Sequence, residues 1–367
     1  MRKVGVAIIG AGNIARAHLN AYRVHSDLCH VVAVADVDAM KAQEFARDAG
    51  NVDWSTNYEF VLERREIDLV SVCTPPFTHF QIVKDALQAG KHVVVEKPMA
   101  ASLAECDELI MTAERQHRHL AVVFQNRFEK WVEKLKWLVE NRQLGRLLFG
   151  VGELLWFRGQ KYYDVDWRGK WETECGGVLM NHAIHLVDLL VWLFGMPSAV
   201  FGTVGISAHN IKVEDYVSAY LEYDNNCIVS FLGTVNSHFE GMRLVVGGTK
   251  CTVDNSLNVY VQQELPSGFG TTDLARKEEI GEVIRGIPTS AHSGHIGVIA
   301  NVLASVQGYD FLRIDGREGR KSIEVITAIY KSATTGRKVA LPIDRSDAFY
   351  TTEGLQHAMR RFMAMSR

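Results

Sequence analysis

Short apolar runs alternate with helical patterns along the first third of the chain. The runs of strand character are Val4 to Ile9, Val31 to Ala35, Asp68 to Cys73, Val93 to Glu96 and Leu120 to Phe124. Apolar residues at helical spacing lie between them, ending near Val24, from about Phe77 to Ala89 and from Ser102 to His117. Because parallel strands need crossover helices, this alternation predicts a doubly wound parallel sheet.

Beyond residue 125 the pattern changes to longer runs. After a helix from about Trp131 to Asn141, the predicted strands are Leu147 to Phe157, Val200 to Ser207, Tyr216 to Tyr223, Ile228 to Val235, Arg243 to Val246 and Thr252 to Gln262. Turns such as Asp224-Asn225-Asn226 border them, which is typical of antiparallel strands in one broad sheet. Residues 346–367 have the spacing of an amphipathic helix, which we expect to dock on its own domain or on a neighbouring subunit.

A glycine turn, Gly10-Ala11-Gly12-Asn13-Ile14-Ala15, joins the first strand to the first helix. In this context Gly10 makes the tight turn and Gly12 lets the backbone approach a pyrophosphate, which the free N–H groups of the helix start would bind. The second strand ends at Asp36, the spacing at which a carboxylate holds the ribose hydroxyls. The matching context disfavours the alternative of a glycine turn in another α/β fold, and the unit is predicted to bind a dinucleotide.

The predicted fold is therefore α/β in two parts. Residues 1–125 form a Rossmann domain with a doubly wound parallel sheet, and residues 126–345 form an α+β domain with a large, mostly antiparallel open sheet. Asp36 repels a 2′-phosphate, so NAD is predicted over NADP, although the nearby Lys41 keeps NADP as an alternative. Thr74 and Pro75 are predicted to wall the cofactor, while His79 either packs, caps its helix or touches the dinucleotide.

The apolar run that begins at Val93 stops abruptly at Glu96-Lys97-Pro98. A lysine beside a glutamate has no place in a core that is buried on two faces, unless the pair lies at the mouth of the strand. The carboxyl edge of a parallel sheet is also where ligands bind. We therefore predict that Lys97 is the chemical residue of an enzyme and that Glu96 holds it in place.

A second cluster of polar residues lies on an apolar helix that is predicted to end at Phe194, before Gly195. Asn181, His185 and Asp188 are spaced to share one helix face. Asn181 is predicted to bind a substrate hydroxyl, His185 to take its proton and Asp188 to orient the imidazole. A core histidine that is satisfied by a neighbouring carbonyl remains the alternative.

Other aromatic and histidine residues carry weaker signals. Tyr162, Tyr163, Trp167 and Trp171 are suited to the floor of a sugar site or equally to a core. The set His182, His185, Asp188, His292 and His295 lacks a zinc-site spacing such as HExxH. No metal is therefore predicted, and His292 and His295 are assigned structural roles.

Composition narrows the choice of partners. The 367 residues are 47% hydrophobic and carry a formal net charge of −3 with both signs interspersed, which argues against nucleic acid. The six scattered cysteines form no CxxC pair, which is typical of a reducing compartment. The start of the chain runs directly into a strand, and no apolar segment approaches a membrane span. We expect a cytoplasmic protein that binds small molecules and no membrane.

Several motifs in order resemble the glucose-fructose oxidoreductase, inositol dehydrogenase and MocA (Gfo/Idh/MocA) family of NAD(P)-dependent oxidoreductases. They are the glycine turn, Thr74-Pro75 with His79, Glu96-Lys97-Pro98, Gln125-Asn126-Arg127, Trp167-Arg168, the helix with His185 and Asp188, Glu318-Gly319-Arg320 and Ala328 to Ser332. The resemblance implies a site between two domains, an open sheet used for homo-oligomer contacts, and Lys97 and His185 as the catalytic pair.

One departure from the family pattern concerns the partner of the histidine. Many members have Asp and Gly where this chain has Asn181 and Ala183. An amide cannot stabilise an imidazolium as a carboxylate does, so proton transfer is expected to depend more on Lys97 or on Asp188. Asn181 resembles the variant of some sugar 3-dehydrogenases, which favours oxidation at C3 of a pyranose over oxidation of an inositol.

The residues and the resemblance together predict a complete site. The catalytic residues are Lys97, His185 and Asn181; the cofactor-binding residues are Gly10, Gly12, Asn13, Ile14, Asp36, Thr74, Pro75, His79, Glu96, Lys97, Gln125, Trp167 and Arg168; and the substrate-binding residues are Lys97, Arg127, Tyr163, Asn181, His182 and His185. His185 is expected to remove the proton of a secondary alcohol of a sugar, glycoside or cyclitol while Lys97 stabilises the alkoxide.

Two alternatives to simple dehydrogenation stay open. One is cleavage of a glycosidic bond assisted by transient oxidation with tightly bound NAD. The other is a non-catalytic regulator that binds a dinucleotide, since a fold alone does not establish activity. The presence of Lys97 and His185 argues against the regulator.

Overall fold

The computed structural model describes residues 2–365. Its first sheet contains β1 (Val4–Ile9), β2 (Cys29–Ala35), β3 (Asp53–Ser55), β4 (Leu69–Val72), β5 (His92–Val95) and β6 (Leu120–Val122). The helices between them are α1 (Asn13–Val24), α2 (Ala39–Asp48), α3 (Glu59–Leu62), α4 (Pro76–Gln88) and α5 (Leu103–Arg115). All neighbouring strands pair in parallel, which confirms the predicted sheet.

The strand order of this sheet is β3-β2-β1-β4-β5-β6. That order reverses direction between β1 and β4, which is the crevice where doubly wound sheets bind dinucleotides. The side chains of Val93, Val94 and Val95 in β5 are fully buried, as the apolar run predicted. The turns that follow β1, β2, β4 and β5 therefore meet at one carboxyl edge of the sheet.

The second sheet has eight strands. They are β7 (Leu147–Phe157), β8 (Ala199–Gly205), β9 (Tyr216–Glu222), β10 (Ile228–Thr234), β11 (Asn236–Gly248), β12 (Thr252–Asp254), β13 (Val259–Tyr260) and β16 (Val339–Ala340). The order is β13-β12-β11-β7-β10-β9-β8-β16. Within the described part of this second sheet, only β7 and β10 pair in parallel. A separate hairpin joins β14 (Gln262–Glu264) to β15 (Gly270–Thr272). The mostly antiparallel sheet that the sequence predicted is confirmed.

Two strand boundaries differ from the prediction. The strand predicted at Arg243 to Val246 starts earlier, because the segment Ser237 to Met242 also belongs to the long strand β11. The run Thr252 to Gln262 is not one strand, because the Asp254 carboxylate accepts hydrogen bonds from the backbone N–H groups of Ser256 and Asn258 and holds a turn there.

The helices that follow the first sheet are α6 (Lys130–Glu140), α7 (Trp171–Glu174), α8 (Ile184–Phe194), α9 (Leu274–Gly286), α10 (Gly294–Val306), α11 (Gly316–Thr335) and α12 (Thr352–Met365). Among them, α8 and α11 cover one face of the second sheet. The helix α8 packs on β7, and α11 packs on β8 and α8. The opposite face carries exposed apolar side chains: Phe149, Phe201, Tyr220, Ile228 and Leu232, at 38–49% exposure. This face has no covering layer within the described chain.

The amphipathic helix expected near the end of the chain is α12, and it docks on its own chain. Its apolar residues Leu355, Met359 and Met363 are buried, and it packs on α5, α7 and α11. The Gln356 Nε2 donates to the carbonyl oxygen of Trp171 at 2.8 Å. Ser366 and Arg367, which the sequence placed in the same tail, lie outside the described residues.

One helical segment of the described chain, Trp171–Phe194, is long and apolar enough to pass as a membrane span. The buried share of its apolar window is 89%. That burial is typical of a core helix, in agreement with the packing of α8 between β7 and α11.

Candidate active site

The glycine turn after β1 has the shape that a pyrophosphate requires. Gly10 has φ +95°, and a Cβ there would lie 2.6 Å from the carbonyl oxygen of Cys73. Gly12 precedes α1 without a side-chain cap, and a Cβ there would meet nothing within 4 Å. Asn13 and Ile14 follow on the exposed first turn. Open space beside an uncapped helix start fits the phosphates of a dinucleotide.

Asp36 ties the end of β2 to this turn. Its Oδ2 accepts a hydrogen bond from the N–H of Ala11 at 2.7 Å, and its Oδ1 accepts one from the N–H of Asp38 at 2.9 Å. Lys41, which left NADP as an alternative cofactor in the sequence, forms an ion pair with Asp38 at 3.1 Å. A half-buried carboxylate that is fixed beside the glycine turn and is not paired to Lys41 fits a ribose with free hydroxyls.

Both ring nitrogens of His79 lie against main-chain carbonyls. Its Nδ1 lies 2.7 Å from the carbonyl oxygen of Pro98, and its Nε2 lies 2.8 Å from that of Thr74. The packing role is the one that the structure shows, and contact of His79 with the dinucleotide stays a prediction. The histidine fixes Thr74 and Pro75, which stand half-buried at the end of β4.

Lys97 stands half-buried just beyond β5. Its Nζ donates a hydrogen bond to the main-chain carbonyl oxygen of Asn181 at 2.8 Å, which joins the two motifs that the sequence analysis treated separately. Burial lowers the pKa of Lys97, because desolvation disfavours the ammonium. Deprotonation of Lys97 to the neutral amine therefore costs less free energy than it does for a lysine in water.

Glu96 has partners other than the Lys97 ammonium. Its Oε1 lies 3.0 Å from His18 Nε2 and 3.4 Å from His295 Nε2. Although burial raises the pKa of Glu96, the hydrogen bonds of the two histidines outweigh it and hold the pKa below its usual range. Its Oε2 accepts a hydrogen bond from the main-chain N–H of Lys97 at 3.3 Å, so Glu96 holds the lysine through the backbone, and its contact with the cofactor stays a prediction. Together the three side chains also form a group close enough to hold a metal ion.

The helix with the predicted acid/base face is interrupted. Leu179–Ala183 form a π-helical turn, and α8 starts only at Ile184. Since the wider turn rotates Asn181 relative to α8, the predicted shared face of Asn181, His185 and Asp188 is not formed. A shift of hydrogen-bond spacing leaves no trace in the apolar pattern, so the sequence did not reveal it.

Asp188 pairs with an arginine instead of the histidine. Its carboxylate accepts two hydrogen bonds from Arg127, at 2.7 and 2.9 Å, and Arg127 also contacts Glu318 at 3.0 Å. The pair is buried, with Asp188 fully shielded from solvent. The prediction that Asp188 orients His185 is therefore wrong. Arg127, predicted to bind substrate, has its guanidinium committed to these carboxylates.

His185 and His182 are buried histidines next to the lysine. Burial and the Lys97 ammonium lower the pKa of His185 to about 3, so its imidazole is neutral at physiological pH. Its Nδ1 has no hydrogen-bond partner among the described residues. His182 packs between Trp156 and Tyr162, with ring centroids 5.4 and 5.7 Å away, and burial lowers its pKa as well.

Two further predicted residues also carry buried polar atoms without partners in the described chain. They are Arg168, through Nη1, and Gln125, through Oε1. The Arg168 guanidinium lies over the rings of Tyr162 and Trp167, 3.7 and 4.4 Å from their centroids. Because buried polar groups are normally paired, such atoms indicate where a ligand supplies the missing partner. Tyr163 is half-buried in the same loop.

Glu174 is a site residue that the sequence analysis missed. Its Oε1 accepts a hydrogen bond from Asn181 Nδ2, and its Oε2 accepts one from the N–H of Gly169 at 2.6 Å. The side chain is buried, and desolvation raises its pKa to about 7. The only signal in the sequence was a glutamate close to Trp167-Arg168 and to the double glycine, and its contact with Asn181 depends on the fold.

Comparisons with known proteins agree with this geometry. The family model described as "Oxidoreductase family, NAD-binding Rossmann fold" matches residues 4–124, and the GFO/IDH/MocA C-terminal domain model matches residues 132–254. The chain is 27% identical to D-glucoside 3-dehydrogenase of Escherichia coli over 92% of this chain and 97% of the relative. It is 27% identical to scyllo-inositol 2-dehydrogenase (NADP(+)) of Bacillus subtilis over 92% and 96%.

A solved structure also supports the assignment to this family. The WlbA dehydrogenase of Chromobacterium violaceum, in complex with NADH and UDP-GlcNAcA, is 31% identical and superposes with a TM-score of 0.82. The match covers 94% of this chain and 97% of that one. The glycine turn and Asp36 fit the dinucleotide that the family model names, and the two matched domains hold the sites around Lys97 and His185. The chain therefore belongs to the GFO/IDH/MocA family of oxidoreductases and has an NAD-binding Rossmann domain.

Proposed function

We propose that the protein is an NAD-dependent dehydrogenase that oxidises a secondary alcohol of a sugar, glycoside or cyclitol, with C3 of a pyranose as the favoured position. The observation that carries the proposal is the contact of Lys97 Nζ with the main-chain carbonyl of Asn181, in the turn that also holds His182 and leads into α8 with His185. This contact supports a site in which an amine and an imidazole act together at the carboxyl edge of the dinucleotide-binding sheet. The similarity to D-glucoside 3-dehydrogenase favours C3.

Lys97 is proposed as the base of the reaction. A bound nicotinamide would accept the hydride. The lowered pKa of Lys97 favours the amine that can take the hydroxyl proton, whereas His185, with a pKa of about 3, is a poor base at neutral pH. This reverses the roles expected from the sequence. His185 then acts as a neutral hydrogen-bonding group that positions the hydroxyl.

The remaining predicted residues are proposed to surround these two. For the cofactor they are Gly10, Gly12, Asn13, Ile14, Asp36, Thr74, Pro75, His79, Glu96, Gln125, Trp167 and Arg168, and for the substrate Tyr163, Asn181 and His182. The unpaired polar atoms of Arg168 and Gln125 support their place in the site. The fixed Asp36 carboxylate supports NAD over NADP.

A panel of sugars, glycosides, cyclitols and nucleotide sugars, incubated with NAD or NADP, tests the proposal through nicotinamide absorbance. We expect reduction of NAD with at least one pyranose. A strong NADP preference would overturn the role of Asp36. Glycoside cleavage without net NADH would instead support redox-assisted elimination, and no reaction with any compound would support the non-catalytic regulator.

The variant Lys97→Ala tests the assignment of the base. We expect turnover to fall by at least ~100-fold, since general base catalysis contributes about that much, while NAD binding changes little. Steady-state kinetics and a fluorescence titration with NADH measure the two quantities. Full activity in this variant would rule out the proposed mechanism.

We further propose a homo-oligomer that buries the open face of the second sheet. The exposed apolar residues Phe149, Phe201 and Tyr220 lie on adjacent strands of that face, together with Ile228 and Leu232. Apolar patches of this kind mark association surfaces. The division of the chain at residue 125 and a cytoplasmic location also belong to the proposal. All six cysteines are unpaired and buried, which supports a reducing compartment.

A further inference from the structure

Asn181 occupies the position at which the sequence analysis noted the loss of a carboxylate, and the structure places another carboxyl beside it. Glu174, on the short helix α7, accepts a hydrogen bond from Asn181 Nδ2. We propose that Glu174 is a positioning residue that sets which end of the Asn181 amide faces the substrate, and that its protonation reverses this orientation. The inference rests on the proposed function, since it concerns the same site.

The Glu174 carboxyl group is held at both oxygens. Oε1 contacts the Asn181 amide, and Oε2 accepts from the N–H of Gly169 at 2.6 Å. The residue is 1% exposed, so water does not compete for these contacts. The carboxyl therefore keeps one orientation toward Asn181.

An ionised carboxylate accepts hydrogen bonds and cannot donate them. Asn181 must then turn its NH₂ group toward Glu174, which leaves Oδ1 on the other side. This Oδ1 receives no hydrogen bond from the residues that the structure describes. The main-chain carbonyl of the same residue receives Lys97 Nζ at 2.8 Å. Asn181 thus offers an acceptor for a substrate hydroxyl next to the proposed base.

The groups that face Glu174 allow it to titrate in the physiological range. Burial raises its pKa to about 7, and the nearby Arg168 and Lys97 cations limit the rise. Tyr163 of the loop and Tyr330 of α11 stay neutral because burial raises their pKa values. Cys175, next in the chain, stays neutral too, since burial raises its pKa to about 12. Glu214, which accepts hydrogen bonds from Tyr330 and from the N–H groups of Gly177 and Leu179, also has its pKa raised to about 7 by burial. Of these two carboxyls, Glu174 is the one that contacts the Asn181 side chain, so the variant Glu174→Gln separates their effects.

Protonation of Glu174 changes which end of the Asn181 amide faces the substrate. A protonated Glu174 donates from its O–H and is best matched by Asn181 Oδ1, so the amide turns and presents NH₂ toward the substrate. A hydroxyl bound by donation to Oδ1 then loses its acceptor. The carboxyl is ionised above its pKa of about 7 and neutral below it. Substrate oxidation should therefore rise as the pH increases through this value.

The first test compares the pH dependence of kcat/KM for wild type and Glu174→Gln, with the pyranose that reacts in the panel. We expect the wild type to show an acid limb in which protonation of Glu174 near pH 7 adds to protonation of the proposed base Lys97, and the variant to show a shallower limb from Lys97 alone. At higher pH the variant should be roughly tenfold slower, the equivalent of losing one hydrogen bond to a charged group. Affinity for NADH should be unchanged. An acid limb in Glu174→Gln that is as steep as in the wild type and lies at the same pH would overturn the proposal.

Glu172→Gln is the matched control. Glu172 lies on the same short helix, and its carboxylate pairs with Arg360 at the surface, 2.7 Å away. We expect this variant to keep the wild-type pH profile. A purely structural role of α7 would alter both variants alike, and that result would also count against the proposal.

A spectroscopic test does not depend on a substrate. The side-chain amide signals of Asn181, assigned by their loss in Asn181→Asp, should shift between pH 6 and 8 in the wild type, around the Glu174 pKa of about 7. They should not shift in Glu174→Gln. Failure of every compound in the panel would remove the proposed function, whereas amide signals that do not respond to pH in the wild type would remove this inference.

Discussion

Burial moves three ionisable side chains of the site in directions that their residue types alone do not indicate. The pKa of Lys97 is lowered, that of His185 is lowered to about 3, and that of Glu174 is raised to about 7. Each shift favours the neutral form, because a buried site disfavours charge. For Lys97 the shift makes the amine form easier to reach, and the amine is the form that can take a proton from a sugar hydroxyl.

At the scale of residues, the sequence predicted which residues belong to the site, but not which hydrogen bonds join them. Lys97 and Asn181 were both identified from motifs, and the structure joins them through one hydrogen bond. A carboxyl group also lies beside the Asn181 side chain, that of Glu174 on α7. This contact depends on the path of the backbone between Gly169 and Asn181, which neither periodicity nor motif spacing specifies.

Asn181→Asp tests the coupling between these two positions. A second carboxyl beside Glu174 would share a proton with it, since like charges in contact raise the pKa of the pair. A raised pKa keeps the pair protonated to higher pH, so the acid limb of kcat/KM should move upward by about one pH unit. The pH profile with the reactive pyranose measures this shift. A limb that stays in place or moves to lower pH would contradict the prediction.

Among the elements, the strands and helices of the first sheet were predictable because each is a short apolar run or an amphipathic repeat. The carboxyl-edge turns followed from them, and so did the places of Gly10, Asp36 and Lys97. The π-helical turn at Leu179–Ala183 did not, because its hydrogen-bond spacing is compatible with the same apolar residues. The partner of Asp188 was missed for another reason, since Arg127 comes from a segment 61 residues away in the chain.

The ion pair of Arg127 and Asp188 joins the end of the first sheet to α8. Asp188→Asn leaves a buried guanidinium without its bidentate partner, and removing one member of a buried pair costs about 3 to 5 kcal/mol. We expect the free energy of unfolding, measured by urea denaturation, to fall by about that amount.

Two control variants make this result interpretable. Lys338→Gln removes an exposed pair with Glu222 and should change stability by less than about 0.5 kcal/mol. Replacing Arg127 and Asp188 together by Met and Leu should restore part of the loss, because no unpaired charge then remains. A stable Asp188→Asn protein would show that Glu318 alone satisfies Arg127.

The whole molecule has one sheet face without a covering layer, and the proposed oligomer depends on it. Phe201→Glu places a charge on that face, beside Tyr220 on the neighbouring strand. We expect the mass in solution, measured by light scattering, to fall toward that of the 41.1 kDa chain.

Phe269→Glu is the matched control for this experiment. Phe269 is 75% exposed and lies in the hairpin between β14 and β15, away from the eight-stranded sheet. We expect its mass to equal that of the wild type. A monomeric wild type, or an oligomer that is unaffected by Phe201→Glu, would place the association surface elsewhere.

The two histidines on Glu96 have a consequence for how substrate reaches Lys97. His18 belongs to α1 of the first sheet, whereas His295 belongs to α10, far along the chain, and they meet on one carboxylate next to the lysine. Separating α1 from α10 at this point would remove a histidine partner from the buried Glu96 carboxylate. We therefore expect the opening beside Lys97 to keep a nearly constant width during turnover.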